Sequence, residues 1–126
     1  MMELIDILQD INHLNILIVE DSDDIRELMS STFDKIFQTT HSAIDGVDGL
    51  KQFEEDKPDL VITDIRMPNM NGNEMIDKIK QLDSSIPIIA VSGHSKIIKA
   101  TNKADVVLEK PIEFDKLLEH IYNLTR

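Results

Sequence analysis

Five short apolar runs, separated by stretches of helical period long enough to cross back over a sheet, constrain this chain most. The runs are residues 15–19, a weaker 38–43, 60–62 leading into Asp64, 86–91 and 105–108. Pro87 stands at the start of the fourth, where a missing N–H costs little. Between them, Ile25, Leu28, Met29, Thr32, Phe33 and Ile36 mark one face of a helix over 22–36, with Ser22 or Asp23 as its N-cap and acids in its first turn. Val47, Leu50 and Phe53 mark a helix over 46–55, weakened by Gly46 and Gly49. Met75, Ile76, Ile79 and Leu82 mark the next, and residues 95–102 read as a short helix. Phe114, Leu117, Leu118, Ile121 and Leu124 mark the last. Regular strand–helix alternation predicts an α/β fold, a five-stranded parallel sheet covered on both faces. Ahead of it, Leu4, Ile7, Leu8, Ile11 and Leu14 predict an extra amphipathic helix within an amino-terminal extension, 1–14, with the domain proper over 15–126.

Composition removes whole classes of function. There is no cysteine among the 126 residues, which excludes a thiol nucleophile and a zinc–thiolate site. No apolar run approaches roughly twenty residues and no basic leader precedes one, so we expect no membrane insertion and a cytoplasmic location. Thirteen Lys and Arg against 24 Asp and Glu leave a net charge of -11, which repels phosphate backbones and argues against nucleic-acid partners.

The polar residues that end the apolar runs are the chemically informative ones. Glu20 and Asp21 follow the first run, Asp64 the third, Ser92 the fourth and Lys110 the fifth. In an open α/β sheet the carboxyl edge of the strands is where ligands bind. Three carboxylates brought together there repel one another unless a cation sits among them, and an all-oxygen set of this size suits Mg²⁺. With the metal in place, Asp64 is a candidate nucleophile toward phosphorus. The metal, the Lys110 ammonium and the Ser92 hydroxyl are then available for the oxygens of the transferring group.

The motifs are V-E-D at 19–21, A-I-D-G at 43–46, P-D-L-V-I-T-D at 58–64, M-P-N-M-N-G at 67–72, a serine after the fourth run and K-P at 110–111. From residue 15 onward the chain resembles bacterial two-component response-regulator receiver domains, of the single-domain, chemotaxis-regulator-like kind. The resemblance implies the flavodoxin-like strand order 2-1-3-4-5 and a cis Lys110–Pro111 bond. It makes Asp64 the phosphoacceptor, gives Mg²⁺ to Glu20, Asp21, Asp64 and the backbone carbonyl of Arg66, and puts Ser92 and Lys110 on the phosphate. It also implies a histidine kinase or phosphotransfer protein as donor, and a downstream protein target whose binding the phosphate switches. On this reading the chain is a stand-alone response regulator with no output domain after Arg126, and it catalyses only its own phosphoryl transfer.

Two features depart from the pattern. Val107 stands where receivers carry a Tyr or Phe that changes rotamer with phosphorylation, and the 92–110 segment is short, with a stunted helix in it. A receiver-like module that binds partners without phosphorylation is therefore the alternative. An aspartate-nucleophile phosphatase needs an acid two residues after Asp64, where Arg66 stands. A flavodoxin-like electron carrier would not lead its first strand into Glu20–Asp21, which repel a flavin phosphate. A calcium loop over 21–32 fails at Arg26 and Thr32. His94 and Arg66 flank the site as candidates for tuning phosphate lifetime. Lys96, Lys99 and Lys103 form a basic stripe, and His13, His41 and His120 read as surface or strand-edge residues. The apolar face of the 4–14 helix needs burial against its own domain, in a homodimer, or against a partner.

Overall fold

The first strand reads Asn-Ile-Leu-Ile-Val, and all but its first residue are buried, because helices cover both faces of the sheet. The computed structural model describes residues 3–93 and 103–126. In chain order its elements are α1 (Leu4–Ile11), β1 (Asn15–Val19), α2 (Asp23–Asp34), β2 (Thr39–Ala43), α3 (Gly46–Asp56), β3 (Leu60–Asp64), α4 (Gly72–Leu82), β4 (Ile88–Ser92), β5 (Val106–Glu109) and α5 (Phe114–Thr125). The sheet is parallel throughout with the order β2-β1-β3-β4-β5. The parallel α/β sheet is the one the strand–helix alternation predicts, and its order is the doubly wound, flavodoxin-like one that the resemblance implies.

Alternation along each strand splits the core into two layers. Ile16, Ile18, Leu60, Ile62, Ile89 and Val91 point to one face, where Phe33 of α2 and Leu117, Leu118 and Ile121 of α5 cover them. Leu17, Val19, Val61, Ile88 and Ala90 point to the other, beneath Phe53 of α3 and Met75, Ile76 and Ile79 of α4. The three helices α2, α3 and α4 start where a side chain satisfies an orphan N–H group. The Ser22 hydroxyl accepts from Ile25 N at 3.5 Å, Asp45 Oδ1 from Asp48 N at 2.8 Å, and Asn71 Oδ1 from Glu74 N at 2.9 Å.

The amino-terminal helix lies against its own domain. Ile7 and Ile11 of α1, together with Leu14, join the layer beneath α5. Leu4 and Ile5 stay exposed. The helix ends at Ile11, three residues before the apolar pattern does, although Leu14 is buried all the same.

Several sequence expectations need correction. Ile25 and Leu28 are 42% and 68% exposed rather than core. The two side chains line a groove instead. Val47 and Leu82 are also exposed, because the apolar arcs of α3 and α4 are wider than the surface they cover. The fourth strand begins at Ile88, after Pro87, which can accept a ladder bond from Val61 N at 3.1 Å but has no N–H to give. The 95–102 helix, His94, Lys96 and Lys99 lie outside the described residues.

The packing of α1 generates a contrast between two isoleucines six residues apart. Ile11→Ala is expected to lower the unfolding free energy by about 2–4 kcal/mol, as for a buried Ile. Ile5→Ala should change it by less than about 0.5 kcal/mol, as for an exposed site. Urea unfolding at an unchanged slope reads both.

Candidate functional site

Parallel strands end on the same side, so the polar residues that stop β1, β3, β4 and β5 gather at one edge. Asp64 is the last residue of β3. Its Oδ1 accepts from Ile65 N at 2.7 Å, and its Oδ2 lies 3.3 Å from the Lys110 ammonium. That ammonium is also 3.7 Å from Glu20 Oε1. Glu20 Oε2 accepts from Ser22 N at 3.1 Å, which turns the carboxylate inward. Ser92 ends β4 and is buried, and its carbonyl accepts from Lys110 N at 2.9 Å, tying the two strand ends together. The Lys110–Pro111 bond is cis.

One carboxylate oxygen from each of Glu20, Asp21 and Asp64 lies within 4.8 Å of the others. An octahedral ion with bonds of about 2.1 Å spans nearly that distance, and three hard oxygen donors suit it. The local charge agrees: three carboxylates face one ammonium, so a divalent cation would neutralise what Lys110 leaves. Burial, followed by the charge of Asp64 and a side-chain hydrogen bond with Asp21, raises the Glu20 carboxyl above its ordinary range, against the opposing pull of the Ser22 N–H and the Lys110 charge. The residues present therefore fit Mg²⁺ chemistry.

The loop after Asp64 is pressed tightly under the site. Gly72 N donates to Ile65 O at 2.8 Å, and a β-carbon on Gly72 would stand 2.5 Å from Asp64 O. Only glycine allows the start of α4 that close. Arg66 lies in this loop, and with Asp21, Met67 and Pro68 it lines a shallow depression. On the opposite side a groove of about 630 Å³ opens between α2 and α5. Glu20, Asp64 and Lys110 stand at its polar end, and Ile25, Leu28 and Phe114 on its apolar walls.

Three supporting residues escape a sequence reading. Arg26 donates to the Glu20 carbonyl at 3.0 Å and pairs with Asp23. Thr63 Oγ1 donates to the Asp64 carbonyl at 2.7 Å. Asp45 accepts from the Asn69 side chain at 2.8 Å. The only available signals were the A-I-D-G motif around Asp45 and the position of Arg26 one turn after a cap. His41, on β2, pairs with Asp56 at 3.3 Å, and Lys103 pairs with Asp77.

Residues 16–122 match the response regulator receiver domain family. An uncharacterized response regulatory protein of Staphylococcus epidermidis is 37% identical over 86% of this chain and 45% of its own length. The Regulator of RpoS of Escherichia coli is 36% identical over 85% of this chain and 33% of its own. The chain thus spans less than half the length of these curated relatives. Among solved structures, the N-terminal domain of an uncharacterized protein from Wolinella succinogenes is 40% identical with a TM-score of 0.80, over 88% of this chain and 93% of that one. The response regulator TrrA of Thermotoga maritima, in complex with Mg²⁺-BeF, is 31% identical with a TM-score of 0.81, over 88% and 98%.

The chain belongs to the response regulator receiver domain family of two-component signalling. Receiver domains are generally signalling domains rather than true enzymes and typically bind Mg²⁺ at an acidic cluster. Response regulators work with histidine kinases or phosphotransfer proteins. No helix among the described residues is long and apolar enough to cross a membrane.

The raised Glu20 carboxyl fixes a sign for pH dependence without metal. Between the ordinary value of 4.5 and its raised one, the folded chain holds a proton that the unfolded chain releases. Its contribution to stability is therefore full below 4.5 and is lost as pH rises through that window. Glu20→Gln should remove this slope, read as the difference between the urea midpoints of variant and wild type across the window.

Proposed function

We propose that this receiver accepts a phosphoryl group on Asp64 from a histidine kinase or phosphotransfer protein, and that the acceptance changes its affinity for a downstream protein. The observation that carries the reading is the Lys110 ammonium held between Asp64 and Glu20 at one strand edge. Glu20, Asp21, Asp64 and the Arg66 carbonyl would hold Mg²⁺. When bound, the ion neutralises part of the charge on the transferring group and on the carboxylates around it.

Each side chain has a defined task. The Ile65 N–H restrains one oxygen of Asp64, which orients the carboxylate for attack in line with the leaving imidazole nitrogen. As the P–N bond breaks and the new O–P bond forms, Lys110 moves from the Asp64 and Glu20 carboxylates to a phosphoryl oxygen. Ser92 donates its hydroxyl to another. The donor protein would lie in the groove beside Ile25, Leu28 and Phe114, since that apolar surface runs continuously into the polar end at Asp64. The Mg²⁺-BeF complex of the Thermotoga relative supports the same chemistry here, because beryllofluoride stands in for a phosphoryl group on a carboxylate.

One observation favours a second reading, a module that binds partners without phosphorylation. Val107 is half-buried against the α3–α4 layer, and it lacks the aromatic ring whose rotamer would report on the site. Phosphorylation works as a switch only where the two states bind a partner differently.

Beryllofluoride binding, followed by amide shifts, tests the leading reading. Wild type should bind only with Mg²⁺ present, and Asp64→Ala should not bind at all; a wild type indifferent to beryllofluoride sinks the phosphoacceptor assignment. A second variant isolates the groove. Leu28→Glu is expected to slow transfer from a phosphorylated donor protein by about tenfold, while beryllofluoride binding stays intact. Unchanged transfer would move the donor to another face.

A further inference from the structure

We propose that Asp45 is a positioning residue for the Asp64 site, acting through Asn69 to hold the loop that carries the Arg66 carbonyl. The proposal rests on the reading of Asp64 given above and adds a residue from a different corner of the fold.

Asp45 lies between β2 and α3, 24 residues before Asn69, and it is 8% exposed. Its two oxygens have separate partners. Oδ1 accepts from Asp48 N at 2.8 Å and caps α3, while Oδ2 accepts from Asn69 Nδ2 at 2.8 Å. Capping alone would be served as well by serine or asparagine. The second bond is the one that needs a carboxylate of this length. The backbone N–H of Asp48, then the Asn69 amide, hold the Asp45 carboxyl below the usual carboxylate range, so it remains ionised as an acceptor.

The partner is held in an unusual backbone state. Asn69 has φ 67, the left-handed region that costs most residues roughly 1–2 kcal/mol and that Asn tolerates best after glycine. A second contact reaches the same loop. A β-carbon on Gly46 would collide with the Met70 carbonyl, so the first turn of α3 lies directly on the loop's backbone. The loop is thus closed at its base by the bond from Gly72 N to Ile65 O and gripped at its tip by Asp45. Arg66 lies between those two fixed points. Without the Asp45–Asn69 bond, the direction of its carbonyl relative to Glu20, Asp21 and Asp64 loses one of its two anchors.

Two variants separate positioning from folding. Asp45→Ser keeps a good N-cap but is too short to reach Asn69, and Asn69→Gly keeps the left-handed backbone without the amide. Mg²⁺ affinity is read from amide-shift titrations on the full chain, and stability from urea midpoints. Each variant should weaken Mg²⁺ binding by roughly tenfold, the range found when groups behind metal ligands are removed. The double variant should be no weaker than the singles, since both remove one bond. Rescue by the conservative Asp45→Asn should be incomplete, with its α3 cap retained.

Wild-type Mg²⁺ affinity in either single variant, or losses that add in the double, would overturn the proposal. So would a fall in urea midpoint with unchanged affinity, which marks a merely structural bond. Wild type is titrated with beryllofluoride in parallel. Binding of Mg²⁺ but not beryllofluoride would overturn the phosphoacceptor reading alone, and binding of neither would overturn both.

Discussion

Lys110 stands between two carboxylates, and most of the surrounding architecture works to put it there. Its ammonium is within 4 Å of both Asp64 and Glu20, while a carboxylate oxygen of a third acid, Asp21, lies within 4.8 Å of one from each of those two. Such a concentration of negative charge opposes folding unless something offsets it. Parallel pairing makes it unavoidable, because every strand delivers its terminal polar residue to the same edge. The fold answers with one fixed cation, with the Ser22 N–H turned onto Glu20 and with Arg26 on the Glu20 carbonyl. A divalent ion would complete the neutralisation, since three carboxylate oxygens of the right kind lie within 4.8 Å of one another.

The layers around the sheet divide the labour. The face under α3 and α4 is tied to the loop after Asp64 by close backbone contacts that only small residues permit. On the other face, α2 and α5 cover the core, and an apolar groove lined by both also takes in Glu20 and Asp64. One side fixes the Asp64 carboxylate and the other leaves an approach to it. The amino-terminal helix adds Ile7 and Ile11 to the buried layer on that side.

Most of the fold was legible from periodicity. Runs such as 15–19 and 86–91 are too short and apolar for anything but buried strands, and the acids, Ser92 and Lys110 declared themselves by ending those runs. The errors have a common physical source. Helical period identifies an apolar arc, but it does not say how much of that arc the sheet reaches. Ile25, Leu28, Val47 and Leu82 therefore lie on the apolar arcs read from the sequence and still stand exposed. The bonds of Asp45 to Asn69 and of Arg26 to the Glu20 carbonyl escaped for a different reason. They join elements through tertiary geometry, and nothing local to either residue encodes the partner.

The strand farthest from the chemistry carries its own lesson. Among the described residues, strand β2 pairs on one side only, with β1, and its other row of N–H and C=O groups runs along the rim of the sheet. Such a rim can template strand addition from a second molecule. Here it reads Thr-Thr-His-Ser before the buried Ala43, and His41 is engaged by Asp56. Polar side chains along the rim and mutual repulsion at a net charge of -11 both disfavour edge-to-edge growth. The weakness of this strand in the hydrophobic pattern is thus the mark of a protected border.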